Sequence, residues 1–253
     1  MTARSARPAY AALQARLQAR HGDALRTINW PELEAARSLA QGLAVARSSA
    51  LAPWIEGIDA SFPAARIDRM LRERWFAYVA QVAAWLPAPW RPATRWFGLL
   101  PQLPQVDAVR SAPVQRAGSM QAAAGETLLA PAAAPLPPAE LRVFAGRAAG
   151  DTSGTAALWR TEWLRRVPAD EIDAGLLRQP AQLLMPALFD ARRARGAHDD
   201  AVRRRLLRLF RRFAFTPMAL FAHLALVALD LERLRGVLLV RSLLAGDAGP
   251  ERG

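Results

Sequence analysis

Apolar residues recur every three or four positions along two long parts of the chain, the spacing of one face of an α-helix. The clearest stretch predicts a helix from Ala64 to Leu86, and its apolar side is formed by Ile67, Leu71, Trp75, Tyr78 and Val82. No alternation of apolar and polar residues, which would indicate a β-strand, exceeds four residues. The pattern therefore predicts an all-α protein, a bundle of helices.

The same spacing predicts further helices on both sides of this one. A first helix begins near Ala9 and stops at Gly22, and a second opens at Pro31 and continues to about Ser48. In the second half, helices are predicted from Ala156, from Asp199, and from the pair Thr216-Pro217 to about Leu244.

A proline- and alanine-rich stretch separates these two groups of helices. Between Pro101 and Pro138 the apolar period disappears, and runs such as AAPLPP take its place. The chain is therefore predicted to have two helical lobes, residues 1–100 and 156–253. A Pro/Ala/Gly-rich linker of residues 101–155 would join them.

One apolar run needs to be weighed as a membrane span. The 17 residues from Phe213 to Leu229 carry no formal charge, which is the lower limit for crossing a bilayer. Pro217 and His223 interrupt the run, and charges resume at Asp230. A buried helix is predicted instead, with His223 as a core histidine hydrogen-bonded to a neighbour. The N-terminus has no apolar signal region, so the chain is expected to be cytoplasmic, either free or peripheral to the inner membrane.

Composition excludes several kinds of chemistry. The chain has no cysteine, and all 34 of its basic residues are arginine. Thiol catalysis, cysteine-bound zinc, a P-loop and Schiff-base chemistry are therefore excluded. His21, His198 and His223 are far apart and lack ligand spacing. We predict no catalytic, cofactor or metal site, and the chain is not expected to be an enzyme.

The formal net charge of +12 indicates an acidic partner. The strongest charge feature of the chain is a run of six arginines in one predicted amphipathic helix, whose apolar side carries Val202, Leu206, Leu209, Phe210 and Phe213. Its basic side is either a solvated face or a contact for anionic lipid or acidic protein. A nucleic-acid contact is less favoured, because both aromatic residues are on the apolar side and cannot stack on bases beside the arginines. The candidates for contact with an anionic surface are Arg203, Arg204, Arg205, Arg208, Arg211 and Arg212.

The last predicted helix carries a recognisable order of residues, FTPMALFAHLALVALDLERLRGVLLVR. An acidic residue, Asp230, is followed by the apolar-arginine pair Leu234 and Arg235, and an aliphatic run then closes in Arg241. This segment resembles the C-terminal signature of the V/A-type ATPase subunit family called C in prokaryotes and d in eukaryotes. Arg233 stands where that family has asparagine, and Asp230 where it usually has glutamate.

Two earlier segments resemble the same family in the same order. Tyr10, followed by the repeated Ala-Arg pairs that end in Arg16 and Arg20, is similar to the family's opening helix. Residues Leu43 to Leu51 are similar to its leucine-bearing helix, with Ser49 and Leu51 in place of the closing Thr-x-Tyr.

The resemblance implies a non-catalytic, all-helical, funnel-like subunit that connects a rotary stalk to the membrane proteolipid ring of a proton- or sodium-translocating ATPase. The expected partners are stalk and proteolipid subunits and an anionic membrane surface. An arginine-rich helical adaptor or nucleic-acid-binding protein is the alternative. With Trp54 added as an aromatic anchor, the candidates for partner contact are Tyr10, Arg16, Arg20, Trp54, Asp230 and Arg235.

The linker prediction can be tested by limited proteolysis. The Pro101–Pro138 window has too little periodic apolar surface to offset the entropy of ordering, about 1–2 kcal/mol per residue. Trypsin should therefore cut first near Arg110 or Arg116. Early cuts inside the Arg72–Trp85 helix would contradict this assignment.

Overall fold

The computed structural model of the chain describes residues 3–106, 144, 154–168, 178–183 and 197–247. The described residues form helices joined by turns, and no β-strand occurs among them. The all-α prediction is therefore confirmed.

The first three helices differ in their bounds from the prediction. Helix α1 spans Ala3–Thr27 and passes through Gly22, where a stop was predicted. A glycine inside a helix costs only about 1 kcal/mol relative to alanine, and the burial of Leu13 and Leu17 on the same helix offsets it. The predicted second helix is in fact two, α2 at Trp30–Ala35 and α3 at Leu39–Arg47.

Side-chain caps explain where α2 and α3 begin. The only asparagine, Asn29, precedes α2, and its Oδ1 accepts a hydrogen bond from the backbone N–H of Glu32 at 3.3 Å. Ser38 has extended backbone angles and its hydroxyl accepts from the N–H of Gln41 at 3.2 Å. Because an N-cap residue cannot itself be helical, Ser38 breaks the apolar pattern that had suggested one continuous helix.

The long amphipathic helix appears as α5, Ala64–Ala84, close to its predicted span. The short helix α4, Ala52–Ile55, precedes it, and α6, Arg91–Phe97, follows it between two 3₁₀ turns. The chain passes very close to α5 at Gly98, where an added Cβ would lie 3.0 Å from Val79. The indole N–H of Trp75 donates to the Gly98 carbonyl at 2.6 Å, so α5 and the end of α6 are joined in the core.

Three helices complete the described part of the chain, α7 at Thr155–Arg166, α8 at Ala197–Arg212 and α9 at Pro217–Asp247. The 31-residue helix α9 is central, because α1, α3, α5 and α8 all pack against it. Its side chains between Met218 and Leu226 are all buried. The prediction of one continuous buried helix, beginning at Pro217, is confirmed.

Helices α6 and α7 are joined by two tryptophans that exchange hydrogen bonds. The Trp96 indole donates to the Trp159 carbonyl at 3.0 Å, and the Trp159 indole donates to the Trp96 carbonyl at 3.1 Å. The ring of Phe144 stacks on Trp96 at 5.8 Å, and Trp163 packs edge-on against Phe221 of α9. This aromatic cluster attaches α7 to the core that α9 organises.

The predicted linker falls mostly outside the described residues, which exclude 107–143 and 145–153. Residues 100–106 are helical, and core residues come from both of the predicted lobes. The division into lobes 1–100 and 156–253 stays a prediction. None of the described helices has the combination of length and hydrophobicity that a membrane crossing requires.

The central position of α9 predicts a large difference between two leucines on it. Leu231 is 5% exposed and Leu243 is 48% exposed. We expect Leu231→Ala to lower the free energy of unfolding by about 2–5 kcal/mol, because it leaves a cavity. The matched control Leu243→Ala should stay within about 0.5 kcal/mol of the unchanged chain. Chemical denaturation measures both, and equal losses would contradict the burial of α9.

Candidate functional site

Helix α8 presents a row of arginines to solvent. Its buried side chains Val202, Leu206 and Phe210 recur every four residues and face the core, while Leu209 and Phe213 are only half-buried. This turns the basic side of the helix outward. Because they share one exposed face, we call the following residues the arginine face: Arg204, Arg205, Arg208, Arg211 and Arg212.

Arg203, the sixth predicted anionic-surface candidate, has a different environment. It is half-buried and its guanidinium forms an ion pair with Asp230 of α9. Burial raises the pKa of Asp230, and the neighbouring Arg203 acts in the opposite direction. Asp230 and Arg203 therefore join α8 to α9 inside the molecule.

A groove of about 750 Å³ runs along the arginine face. One wall is α8, and the opposite wall is the helical turn at residues 178–183. Leu183 and Leu209 contribute apolar surface to it, and the described residues that line it include no acidic side chain. We call it the arginine groove, and its polar lining consists of Gln179, Gln182, Arg205, Arg208, Arg211 and Arg212.

A second cavity, of about 710 Å³, is lined by α1, α4, α5 and α9 and by the turn before α4. At its base the Tyr78 hydroxyl and the Nε2 atom of His223 are 2.6 Å apart, which is a hydrogen bond between α5 and α9. His223 is 2% exposed. The prediction of a core histidine bonded to a neighbour is confirmed. We call this cavity the histidine cleft, because His21 also lines it.

The pKa values of both histidines of the cleft are lowered. Burial lowers the pKa of His223 to about 3, with His21 and Arg20 adding to the effect. Burial also lowers the pKa of His21, assisted by Arg203 and Arg211. His223 Nδ1 and His21 Nε2 are buried without a hydrogen-bond partner among the described residues.

Arg20 closes one side of the cleft. Its guanidinium lies 5.0 Å from the Tyr78 ring centroid and 4.9 Å from that of Trp85, and its Nη2 donates to Gln81 Oε1 at 3.2 Å. Burial raises the pKa of Tyr78, and Arg20 opposes that shift. The Trp54 ring packs edge-on against Tyr78 at 5.3 Å.

Three of the six predicted partner-contact residues meet in this cleft, namely Arg20, Trp54 and Asp230. Arg16 is exposed and its guanidinium lies 5.3 Å from the Trp85 ring centroid. Tyr10 is in the core, at 8% exposure. Arg235 is half-buried and pairs with Asp68 of α5 and, at 3.0 Å, with Glu232.

Sequence reasoning missed the residues that complete these pairs. Asp68 binds both Arg235 and Arg72, and Arg72 also donates to Gln105, so an ionic cluster lies between α5 and α9. Its only local signal is the i,i+4 spacing of Asp68 and Arg72. Tyr78 was predicted as part of an apolar stripe, because its hydroxyl partner is 145 residues away.

Comparison with protein-family models, with curated proteins and with solved structures gives no match for this chain. Within the part of the chain that the structure describes, no three metal-ligating side chains come together. The candidate surfaces described above are the arginine groove and the histidine cleft.

The buried histidine of the cleft predicts a pH-dependent stability. Because the folded-state pKa of His223 is about 3 against the usual 6.5, the unfolded chain binds the extra proton as the pH falls through this window. The free energy of unfolding should then fall by about 1.4 kcal/mol per pH unit below pH 6.5. Stability should be retained above that pH.

Urea denaturation at several values of pH measures this slope. His223→Gln keeps a group that can bond to Tyr78 but cannot titrate, so we expect it to flatten the slope between about pH 6.5 and 5, above the range where carboxylates titrate. His21→Gln is the matched control and should flatten it less. Identical slopes for His223→Gln and the unchanged chain would contradict the buried neutral histidine.

Proposed function

We propose that this chain is a non-catalytic coupling subunit resembling the C/d subunits of V/A-type ATPases, which link a rotary stalk to a membrane proteolipid ring. The observation that carries the proposal is the packing of the three segments that hold the resemblance. These segments are distant in sequence, yet α1 and α3 both pack directly on α9. The residues of the resemblance thus belong to one structural unit.

The contacts between these segments are specific. The Gln14 carboxamide of α1 accepts a hydrogen bond from the Phe215 N–H at 3.2 Å, just before α9 begins. Gly42 of α3 lies against Leu238, since an added Cβ would be 3.7 Å from the leucine Cδ2. At the far end, Arg241 donates to the Glu34 carbonyl of α2 at 3.1 Å.

The residues of the C-terminal signature join α9 of this unit to neighbouring helices. Asp230 pairs with α8 through Arg203, Arg235 pairs with α5 through Asp68, and Leu234 between them is fully buried. In the proposed function these three residues hold the helices around α9 in place. Contact with partners then falls to exposed residues of the same unit, among which Arg16 was a predicted candidate.

The alternative, an arginine-rich adaptor or nucleic-acid-binding protein, is supported by the arginine face of α8. Phosphate contacts require only exposed guanidinium groups, which this face has. Stacking of bases would also require an exposed aromatic ring beside them. Phe210 on the same helix is 3% exposed and cannot stack on a base, whereas Phe215, three residues past the end of the helix, is 59% exposed. Nuclease treatment in the experiment below therefore separates the two functions.

Affinity purification from the source cells tests the proposed function. The tagged full-length chain should be recovered with rotary-ATPase stalk and proteolipid subunits, identified by mass spectrometry. Arg16→Glu should reduce their recovery by about tenfold, since reversing one charge of a close pair at an interface has effects of this size. Arg69→Glu reverses an equally exposed arginine of α5 and should leave recovery unchanged.

Two results would contradict the proposal. One is a tagged chain that is recovered without any ATPase subunit, and the other is recovery with nucleic acid that nuclease treatment removes. Circular dichroism of both variants confirms that a loss of binding does not reflect unfolding.

A further inference from the structure

From the arginine groove between α8 and residues 178–183 we infer a docking site for an acidic segment of a partner protein. The inference goes beyond the proposed function and does not depend on it, because the proposed contacts lie on the unit formed by α1, α3 and α9. It rests on the charge, the spacing and the shape of the groove.

Charge is the first argument. Arg205, Arg208, Arg211 and Arg212 line the groove, and among the described residues none of the four has an ion-pair partner. Arg208 is three residues from Arg205 and from Arg211 and four from Arg212. Residues at these spacings are neighbours on a helix surface, so their positive charges repel one another. A bound carboxylate removes that repulsion and is matched in shape by the forked guanidinium group.

Spacing is the second argument. From Arg205 to Arg212 the helix rises about 10 Å, at about 1.5 Å per residue. An extended peptide covers that distance in about three residues, and its alternate side chains point the same way about 6.6 Å apart. Two acidic side chains at alternate positions would therefore each lie near a pair of arginines.

Shape distinguishes a peptide from the other polyanions. The groove is a concave site of about 750 Å³ with apolar surface from Leu183 and Leu209, and Gln179 and Gln182 line it as well. The leucines can receive an apolar side chain, and the glutamine amides can bond to a peptide backbone. A flat layer of lipid headgroups could pair with the exposed arginines but would leave Leu183 and Leu209 uncovered. Among the described residues that line the groove there is no aromatic ring on which nucleic-acid bases could stack.

Fluorescence anisotropy with a labelled hexapeptide of alternating glutamate and leucine tests the inference on the full-length chain. We expect binding at moderate ionic strength that is lost when glutamine replaces glutamate in the peptide. Arg208→Glu should weaken binding by about tenfold or more, and Arg205→Glu gives a second variant at an exposed position. Arg69→Glu has the same change of charge outside the groove and should stay within about twofold.

A variant without a change of charge shows whether peptide binding depends on the shape of the groove or only on its positive charge. Leu183→Trp fills the groove and should weaken binding of the peptide by about tenfold, while binding to phosphatidylserine vesicles stays unchanged. Equal weakening by Arg69→Glu and Arg208→Glu, or no effect of Leu183→Trp, would overturn the inference. Tighter binding of the vesicles or of a single-stranded oligonucleotide, with displacement of the peptide, would overturn it too.

The chain's own sequence contains a competing occupant close to residues 178–183, the acidic residues Asp170, Glu171 and Asp173. Replacing these residues by asparagine and glutamine should leave the affinity for the peptide unchanged if a partner protein supplies the segment. A gain of about tenfold would instead assign the groove to the chain's own acidic sequence.

Discussion

The burial of α9 is the constraint on which the rest of the structure depends. A helix covered on most sides cannot leave its polar side chains in water, and an unpaired polar group in the interior is strongly unfavourable. Each buried polar residue of α9 therefore has a partner on another element. His223 bonds to Tyr78, Asp230 pairs with Arg203, and the Ser242 hydroxyl donates to the Phe62 carbonyl at 3.2 Å.

These polar contacts also determine how the surrounding helices are arranged. Leucine and alanine surfaces can slide past one another at small energetic cost, whereas a buried ion pair is satisfied in only one register. Breaking such a pair leaves an uncompensated charge in the interior, which is far more costly than the net gain from forming it. We infer that Asp230 and Arg235 select the orientation of α8 and α5 on α9 more than they stabilise the fold.

The sequence was informative wherever local spacing determines structure. The apolar period located α5 and α8, since each has one continuous core-facing side, and α9 was located by its start at Thr216-Pro217 and its uncharged run. The apolar period failed at Ser38, because Leu39 and Leu43 continue the same period across a residue whose hydroxyl forms a cap. Only part of the candidate site could be predicted from the sequence, for a different reason. The arginine face follows from helical spacing, but the helical turn opposite it and the bond between Tyr78 and His223 depend on contacts between distant residues.

The hydrogen bonds exchanged by Trp96 and Trp159 affect where the chain can tolerate insertions and deletions during evolution. Together with the core residues Val106 and Phe144, they fix both ends of the stretch 107–143 to the same body. When the ends of a segment are already fixed, doubling its length adds only about 0.6 kcal/mol of closure entropy. Evolution can therefore extend or shorten this stretch, or insert a whole domain into it, without disturbing the helices that surround α9.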